Sequence, residues 1–300
     1  WESIFHLSGI MSLALIGLVL WALRREWTEA KGEKFDLVGS ITFGVSLAAF
    51  MYGFSVLNTL LGVVLVVVGI LGFIFFVRWE NRTEIPVFNL QVFRKNRVFM
   101  FSSLAALVTY SSTFAITFLL SLYLQYVKGF QPDEAGLVLI VSSVLMTIFT
   151  PISGRISDRI EPRLVASVGL AINCVALSLL IFVGSGTALW YIILALAIYG
   201  IGIGLFSSPN SNAIMGSVEN RILGVVSGTL GTTRTAGMML SMGIMMVLFS
   251  IYVGQSEITR ELYPEFLMSM RVGYIIFTAI GVLGLFTQLA ARNITRTRAS

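Results

Sequence analysis

An all-α polytopic membrane protein is the class that the sequence predicts, and three observations predict it. Nine apolar runs of about twenty residues follow one another along the 300-residue chain, each long enough for a helix to cross a bilayer core. Only 12% of the residues are charged and 56% are hydrophobic, with a mean hydropathy of +0.89; a soluble domain carries about 25% charged residues. The basic residues gather in alternate connectors, the pattern of a chain oriented by its positive loops.

The first run, Ile4–Leu23, is followed rather than preceded by its positive charges, Arg24 and Arg25. It therefore reads as a true span with its N-terminus outside, not as a signal peptide. The connector after it also holds Lys31 and Lys34. Two runs come next, Leu37–Val56 and Thr59–Val77, joined by a very short turn around Leu57-Asn58. Arg78, Arg82, Arg94, Lys95 and Arg97 fill the following connector. Six further runs complete the chain: Val98–Leu120, Ala135–Ser153, Leu164–Val183, Ala188–Ser208, Gly224–Ile251 and Val272–Ala291. Their turns on the same side hold Arg155, Arg159 and Arg163, then Arg221, then Arg292, Arg296 and Arg298. The opposite side has only Lys128, Arg260 and Arg271, and Arg234 lies within a run. Sixteen basic residues against three place the C-terminus in the cytoplasm.

Smaller features agree. Trp21, Trp79 and Trp190 fall at span ends, where an amphipathic ring suits the headgroup boundary. The net charge of +5 is explained by membrane orientation, and no nucleic-acid partner is expected. Cys174 is the single cysteine and His6 the single histidine, which is too few for a disulfide framework, a Cys- or His-based metal site or Ser-His catalysis. The triplets Asn81-Arg82-Thr83 and Asn293-Ile294-Thr295 match the glycosylation pattern but lie on the cytoplasmic side, so they are read as chance.

One polar stretch organises the chain: Gly154-Arg155-Ile156-Ser157-Asp158-Arg159-Ile160-Glu161-Pro162-Arg163. Its pattern, Gly-x-x-x-Asp-Arg-x-x-x-Arg, resembles the cytoplasmic loop motif of the major facilitator superfamily, in the weaker copy of the C-terminal half. Four other stretches are similar to that family's fourteen-helix drug:proton antiporter branch, from its sixth helix onward. Trp1-Glu2-Ser3-Ile4-Phe5 resembles the opening of the sixth helix, with Glu2 where an Arg is usual. Phe35-Asp36-Leu37-Val38-Gly39 resembles the entry to an inserted helix pair. Tyr123-Leu124-Gln125 with Gly129 and Ala135-Gly136 resembles the outer loop before the motif hairpin. Gly224-Val225-Val226-Ser227-Gly228 with Arg234 and Gly237 resembles the penultimate helix.

The resemblance implies an incomplete major facilitator fold of about nine transmembrane helices. Residues 1–23 would be the last helix of an N-terminal bundle, 24–36 a cytoplasmic connector and 37–79 an inserted two-helix hairpin. Residues 80–97 would be a second connector, 98–291 a complete C-terminal six-helix bundle and 292–300 a cytoplasmic tail. The chain opens on Trp1 directly before a span, so truncation is expected, and the 300 residues alone are expected to be inactive.

Coupling in an ion-driven transporter usually needs a buried carboxylate. All fifteen acidic residues lie in loops or at span ends; by the resemblance, the coupling acids belong to the missing N-terminal half. Two features are candidates for the substrate pathway. The polar cluster of the fourth run puts Tyr110, Phe114, Thr117 and Ser121 on one helix face, with Thr113 beside them. Its hydroxyls either bond back to neighbouring backbone or line a cavity suited to an apolar or amphipathic substrate. Arg234 either snorkels from the first cytoplasmic turn or faces the central cavity, there to pair with a carboxylate of the missing half or to hold an anionic group. Gly154, Asp158, Arg159 and Arg163 are the candidate conformational loop, with Asp158 expected to favour the start of the next helix. Gly200-Ile201-Gly202-Ile203-Gly204 and Gly224-x-x-x-Gly228 read as close helix packing, and Pro209 as the end or kink of its span.

The function expected is transport by alternating access, with proton-coupled export of drugs or other small organic molecules. Its partners would be the lipid bilayer, the substrate and protons, with no cofactor and no enzymatic activity, in the cell membrane. The competing expectations are a transporter of a defined metabolite, such as a siderophore or organic anion, and a non-transporting membrane scaffold.

Overall fold

The computed structural model of the protein describes residues 2–22, 36–57, 59–83, 96–254 and 259–290. The side chains of residues 2–4, 54, 55 and 221 are not among those described. Trp1, Phe35, most of both charged connectors and the tail 292–300 lie outside these residues, so the expectations placed on them stand outside too. Among the described residues the regular structure is entirely helical, in two units, Trp1–Lys34 and Phe35–Ser300.

The first unit contributes one helix, α1 (Glu2–Ala22). Every side chain from Phe5 to Ala22 is exposed. An apolar helix with this much bare surface is suited to a hydrocarbon surrounding, not to water.

The second unit begins with an antiparallel pair, α2 (Leu37–Ser55) and α3 (Leu60–Glu80). Asp36 caps α2 by accepting from the Gly39 N–H at 2.8 Å, and the Trp79 indole N–H reaches back to both Asp36 carboxylate oxygens at 3.2 and 3.3 Å. A Cβ at Gly39 would collide with Asp36 and lie 2.9 Å from Glu80 Oε1, so the Asp-x-x-Gly part of that stretch is a local requirement. Phe43 and Phe50 pack edge-on against Phe73, and Phe43 also meets Phe76. The α2 face then rests on α8.

Six helices share one continuous core: α4 (Arg97–Leu122), α5 (Pro132–Ser157), α6 (Pro162–Leu180), α7 (Leu189–Met215), α8 (Leu223–Tyr252) and α9 (Tyr263–Ala290). Helix α4 packs against α8 and α9, while α7 packs against α5 and α6. Exchanging the first three helices for the last three maps each of these pairs onto the other, and α6–α9 and α4–α7 onto themselves. That is the packing of an inverted three-plus-three repeat. Two thirds of the α4 span (67%) is buried against 11% for α5, so α4 lies deep in the bundle and α5 on its surface.

Eight of the nine described α-helices are long and apolar enough to cross a membrane; the apolar stretch of α2, Leu37–Gly53, is shorter. At 19 residues α2 is about 28 Å long, the short end of what a bilayer core demands. Several ends differ from those expected from hydropathy, because the helices run on past their apolar cores. Helix α5 continues through Ser157, leaving only residues 158–161 as the turn, and α9 starts at Tyr263, which places Arg271 inside a helix. Pro209 does not end α7, which continues to Met215; the turns beyond it are tied to α5 by the Asn212 amide donating to Ser157 Oγ at 3.0 Å.

The glycines divide sharply. A Cβ at Gly200 or Gly204 would strike the α5 backbone or Phe149, and one at Gly202 would strike Asn173 of α6. Gly169 of α6 has the α7 backbone at 2.6–2.8 Å from its virtual Cβ. Gly200, Gly202 and Gly204 are thus close-packing sites, as expected, and Gly169 is a further one. Gly224 and Gly228 have nothing within 4 Å among the described residues, so the close packing expected of them is not found there. Gly129, in the turn before α5, has φ +72°, a conformation that glycine adopts without penalty.

Candidate functional site

The helix faces around α4, α7 and α8 bring together residues far apart in sequence. Tyr110 is buried, at 7% exposure, and its hydroxyl lies 3.2 Å from Ser207 Oγ on α7. The Arg234 guanidinium of α8 sits over the Tyr110 ring, 5.1 Å from its centroid, a cation–π placement. Arg234 Nη2 donates to Ser211 Oγ at 2.8 Å, and Ser211 in turn donates to the Ser207 carbonyl. The Arg234 Nε is buried and makes no hydrogen bond. No carboxylate among the described residues pairs with Arg234. Among the described residues this arginine is therefore held in the bundle by a ring and a hydroxyl, both neutral.

The polar cluster of α4 resolves into two kinds of group. The hydroxyls bond back to their own helix: Thr109 to Ala105, Ser111 to Val108, Ser112 and Thr113 to Thr109, and Thr117 to Thr113. Such bonds satisfy a hydroxyl in an apolar setting without a partner helix. The rings do the cross-helix work. Phe114 stacks on Phe118 at 5.7 Å, Phe118 meets Phe249 of α8 edge-on at 6.1 Å, and Phe249 tilts against Phe266 of α9 at 5.8 Å. Of the expected pathway face, Thr117 is exposed, Thr113 and Phe114 are half-buried, and Tyr110 is turned into the bundle.

Beside this face lies a cavity of about 550 Å³. Phe114 and Phe118 line it from α4, Met242, Met245, Met246 and Phe249 from α8, and Leu57 from the α2–α3 turn. The wall is mostly apolar, with Ser250 among its lining residues. Methionine is unbranched and polarizable, so a methionine–phenylalanine wall accommodates rings of varied shape. Sequence reasoning missed this wall and the two serines. The spacing of Met242, Met245, Met246 and Phe249 on one helical face and the polar run Ser207-Ser208-Pro209-Asn210-Ser211 in an apolar span were the available signals.

The basic turn is built differently from expectation. Gly154 lies within α5, where its Cβ position faces Ser208 Oγ of α7 at 3.1 Å. Asp158 terminates α5, its backbone N–H bonded to the Gly154 and Ile156 carbonyls, and its side chain is exposed. The residue at the N-cap of α6 is Glu161, not Asp158, and its side chain makes no capping hydrogen bond. Arg163 pairs with Glu161 at 3.1 Å and donates to the Leu289 carbonyl near the end of α9 at 3.1 Å. Arg159 is exposed. The turn thus clamps α6 to the end of α9.

The model of the Major Facilitator Superfamily matches residues 1–242. The chain belongs to this superfamily. Among its superfamily relatives, the riboflavin transporter RibZ of Clostridioides difficile is 24% identical over 293 residues, covering 95% of this chain and 62% of RibZ. The multidrug resistance protein Stp of Mycobacterium tuberculosis is 25% identical over 254 residues (82% of this chain, 46% of Stp). The methylenomycin A resistance protein of Streptomyces coelicolor is 27% identical over 255 residues (82% and 52%). The chain therefore spans roughly half to three fifths of the length of these curated relatives. Among solved structures, a mutant of the nucleoside transporter NupG superposes with a TM-score of 0.53 at 17% identity, over 84% of this chain and 66% of that one. At that identity the likeness speaks for the fold alone. The all-α major facilitator fold follows from these findings.

Proposed function

We propose that this chain is the C-terminal part of an exporter of drugs or other small organic molecules, driven by proton exchange and working by alternating access. The observation that carries this reading is the methionine–phenylalanine cavity next to the α4 face: it is large enough for a drug-sized molecule and offers shape tolerance instead of a fixed hydrogen-bond code. The similarity to two resistance proteins supports it. In this reading α1 is the last helix of the other bundle, α2–α3 an inserted pair, and the chain follows the fourteen-helix branch. The protein sits in the cell membrane with the Arg155–Arg163 turn and the C-terminus cytoplasmic, and the proton-carrying acids lie outside these 300 residues. Tyr110, Thr113, Phe114, Thr117 and Arg234 face the substrate path. Gly154, Asp158, Arg159 and Arg163 brace one conformation of the two bundles.

A second reading is transport of one defined metabolite. It draws on the similarity to the riboflavin transporter over 95% of this chain and on the directional Tyr110–Ser207–Ser211–Arg234 cluster. Everted vesicles from cells expressing the complete reading frame that encodes this chain separate the two. Export of several unrelated apolar drugs, each dissipating an imposed proton gradient, is expected, with Phe114→Ala and Thr117→Ala shifting the preference among them more than the protein level. Saturable movement of a single compound such as riboflavin favours the second reading. No energised movement of any compound in the panel defeats both.

A further inference from the structure

Arg234 and the apolar cavity lie on one seam. Helices α4 and α8 run side by side in the same direction, with Gly237 packed against Leu107 and Ser111. Arg234 covers Tyr110, and one turn further along α4 comes Phe114, then Phe118 against Phe249. Phe114 follows Tyr110 by about 6 Å of helix rise, and Met242 follows Arg234 by about 12 Å. Along the seam, a ring-lined, thioether-lined cavity of about 550 Å³ thus begins roughly 6–12 Å of helix rise beyond the Tyr110–Arg234 pair, whose guanidinium has no carboxylate partner among the described residues.

The chemistry of the arginine decides which molecule suits that arrangement. Its contacts are a ring face and a serine hydroxyl, both neutral, and its Nε has no acceptor at all. A guanidinium in a poorly hydrated place needs an anion, and it matches a carboxylate or sulfonate through two parallel hydrogen bonds. The same charge repels a cationic ligand, and in low dielectric that repulsion is strong. We propose that the α4–α8 seam is a binding site for amphipathic organic anions, the acidic group at Arg234 and an aromatic body in the cavity between Phe114, Phe118, Met242 and Met246. This rests on the reading of the α4–α8 face as the substrate path, and it narrows the substrate class from apolar drugs in general to ring-bearing monoanions.

Three probes of one shape test it: 2-naphthoate, 2-naphthylmethanol and 2-naphthylmethylammonium, titrated calorimetrically into the purified chain in nanodiscs. The expected order is naphthoate tightest, by about tenfold or more over the alcohol, and the ammonium weakest. Arg234→Gln should erase the advantage of naphthoate over the alcohol, whereas Arg234→Lys should keep part of it. Phe114→Ala should weaken all three together. Equal affinities for the three probes in the unaltered chain, or a preference for the ammonium, overturns the anion site while leaving an apolar pathway intact. Binding of none of them overturns the pathway reading as well. The comparison within the unaltered chain needs no variant, so a poorly folding Arg234→Gln does not blunt it.

Discussion

Replacing Gly169 by alanine probes a close helix crossing in the bundle. The new methyl group would lie 2.6 Å from the Phe206 nitrogen, 2.7 Å from the Gly202 carbonyl oxygen and 2.8 Å from the Leu205 carbonyl carbon. Ordinary contacts of a Cβ begin at about 3.4 Å, so α6 and α7 must separate by several tenths of an ångström. All three obstacles are backbone, so no side chain can rotate away. Overpacking of this kind costs about 1–3 kcal/mol, and the backbone contact argues for the upper end. Alanine also gains roughly 0.5–1 kcal/mol over glycine in a helix interior, which would mask part of the loss. Gly228→Ala supplies the correction: it lies inside α8 with nothing within 4 Å, so it gains the same propensity and meets no obstacle. The difference between the two variants isolates the crossing. Thermal unfolding of the purified chain in one detergent, followed by size-exclusion fluorescence, should place Gly169→Ala below Gly228→Ala by roughly 6–12 °C if the cost is near 3 kcal/mol. Coincident midpoints would refute the packing of α6 on α7 as described.

Two further outcomes are expected. Asp36→Ala removes the cap of α2 and both bonds from the Trp79 indole, a loss of about 2 kcal/mol; amide exchange over residues 37–41 should quicken by roughly tenfold or more, and unchanged protection would show that the pair is held by its phenylalanines alone. Orientation follows from the basic turns: on a Cys174→Ser background, a cysteine replacing Ser157 should resist an impermeant thiol reagent in intact cells and one replacing Lys128 should react, and the reverse pattern would invert the topology.

Most of the architecture was legible because the information is local. Length and hydropathy mark a span wherever it occurs, since lipid imposes the same demand on every crossing helix. The cap at Asp36 was within reach of the sequence, as it is set by residues close together, whereas the turn around Gly154–Arg163 was recognised as a pattern but places Glu161, not Asp158, before the next helix. Helix ends were not legible, because α3, α5 and α9 carry polar residues within their terminal turns. The faces were not legible either. In water an apolar stripe tells which side of a helix is buried, but in a bilayer the lipid side is as apolar as the packed side. Gly200 and Gly204 share their spacing with Gly224 and Gly228, yet the first pair touches α5 and the second touches nothing among the described residues.

By itself the sequence determined that this chain has apolar runs long enough to cross a membrane many times as helices, resembles the major facilitator superfamily and places Arg234 within one of those runs. Only the tertiary structure decided where that arginine's charge goes: over Tyr110 and onto Ser211, partners 124 and 23 positions away. It likewise decided that Phe114 and Met242 enclose a common cavity. The physical reason is that a span's existence depends on the free energy of moving one segment into lipid, which each segment settles alone. A site depends on which faces meet, and that is settled by close packing among helices that no single one of them encodes.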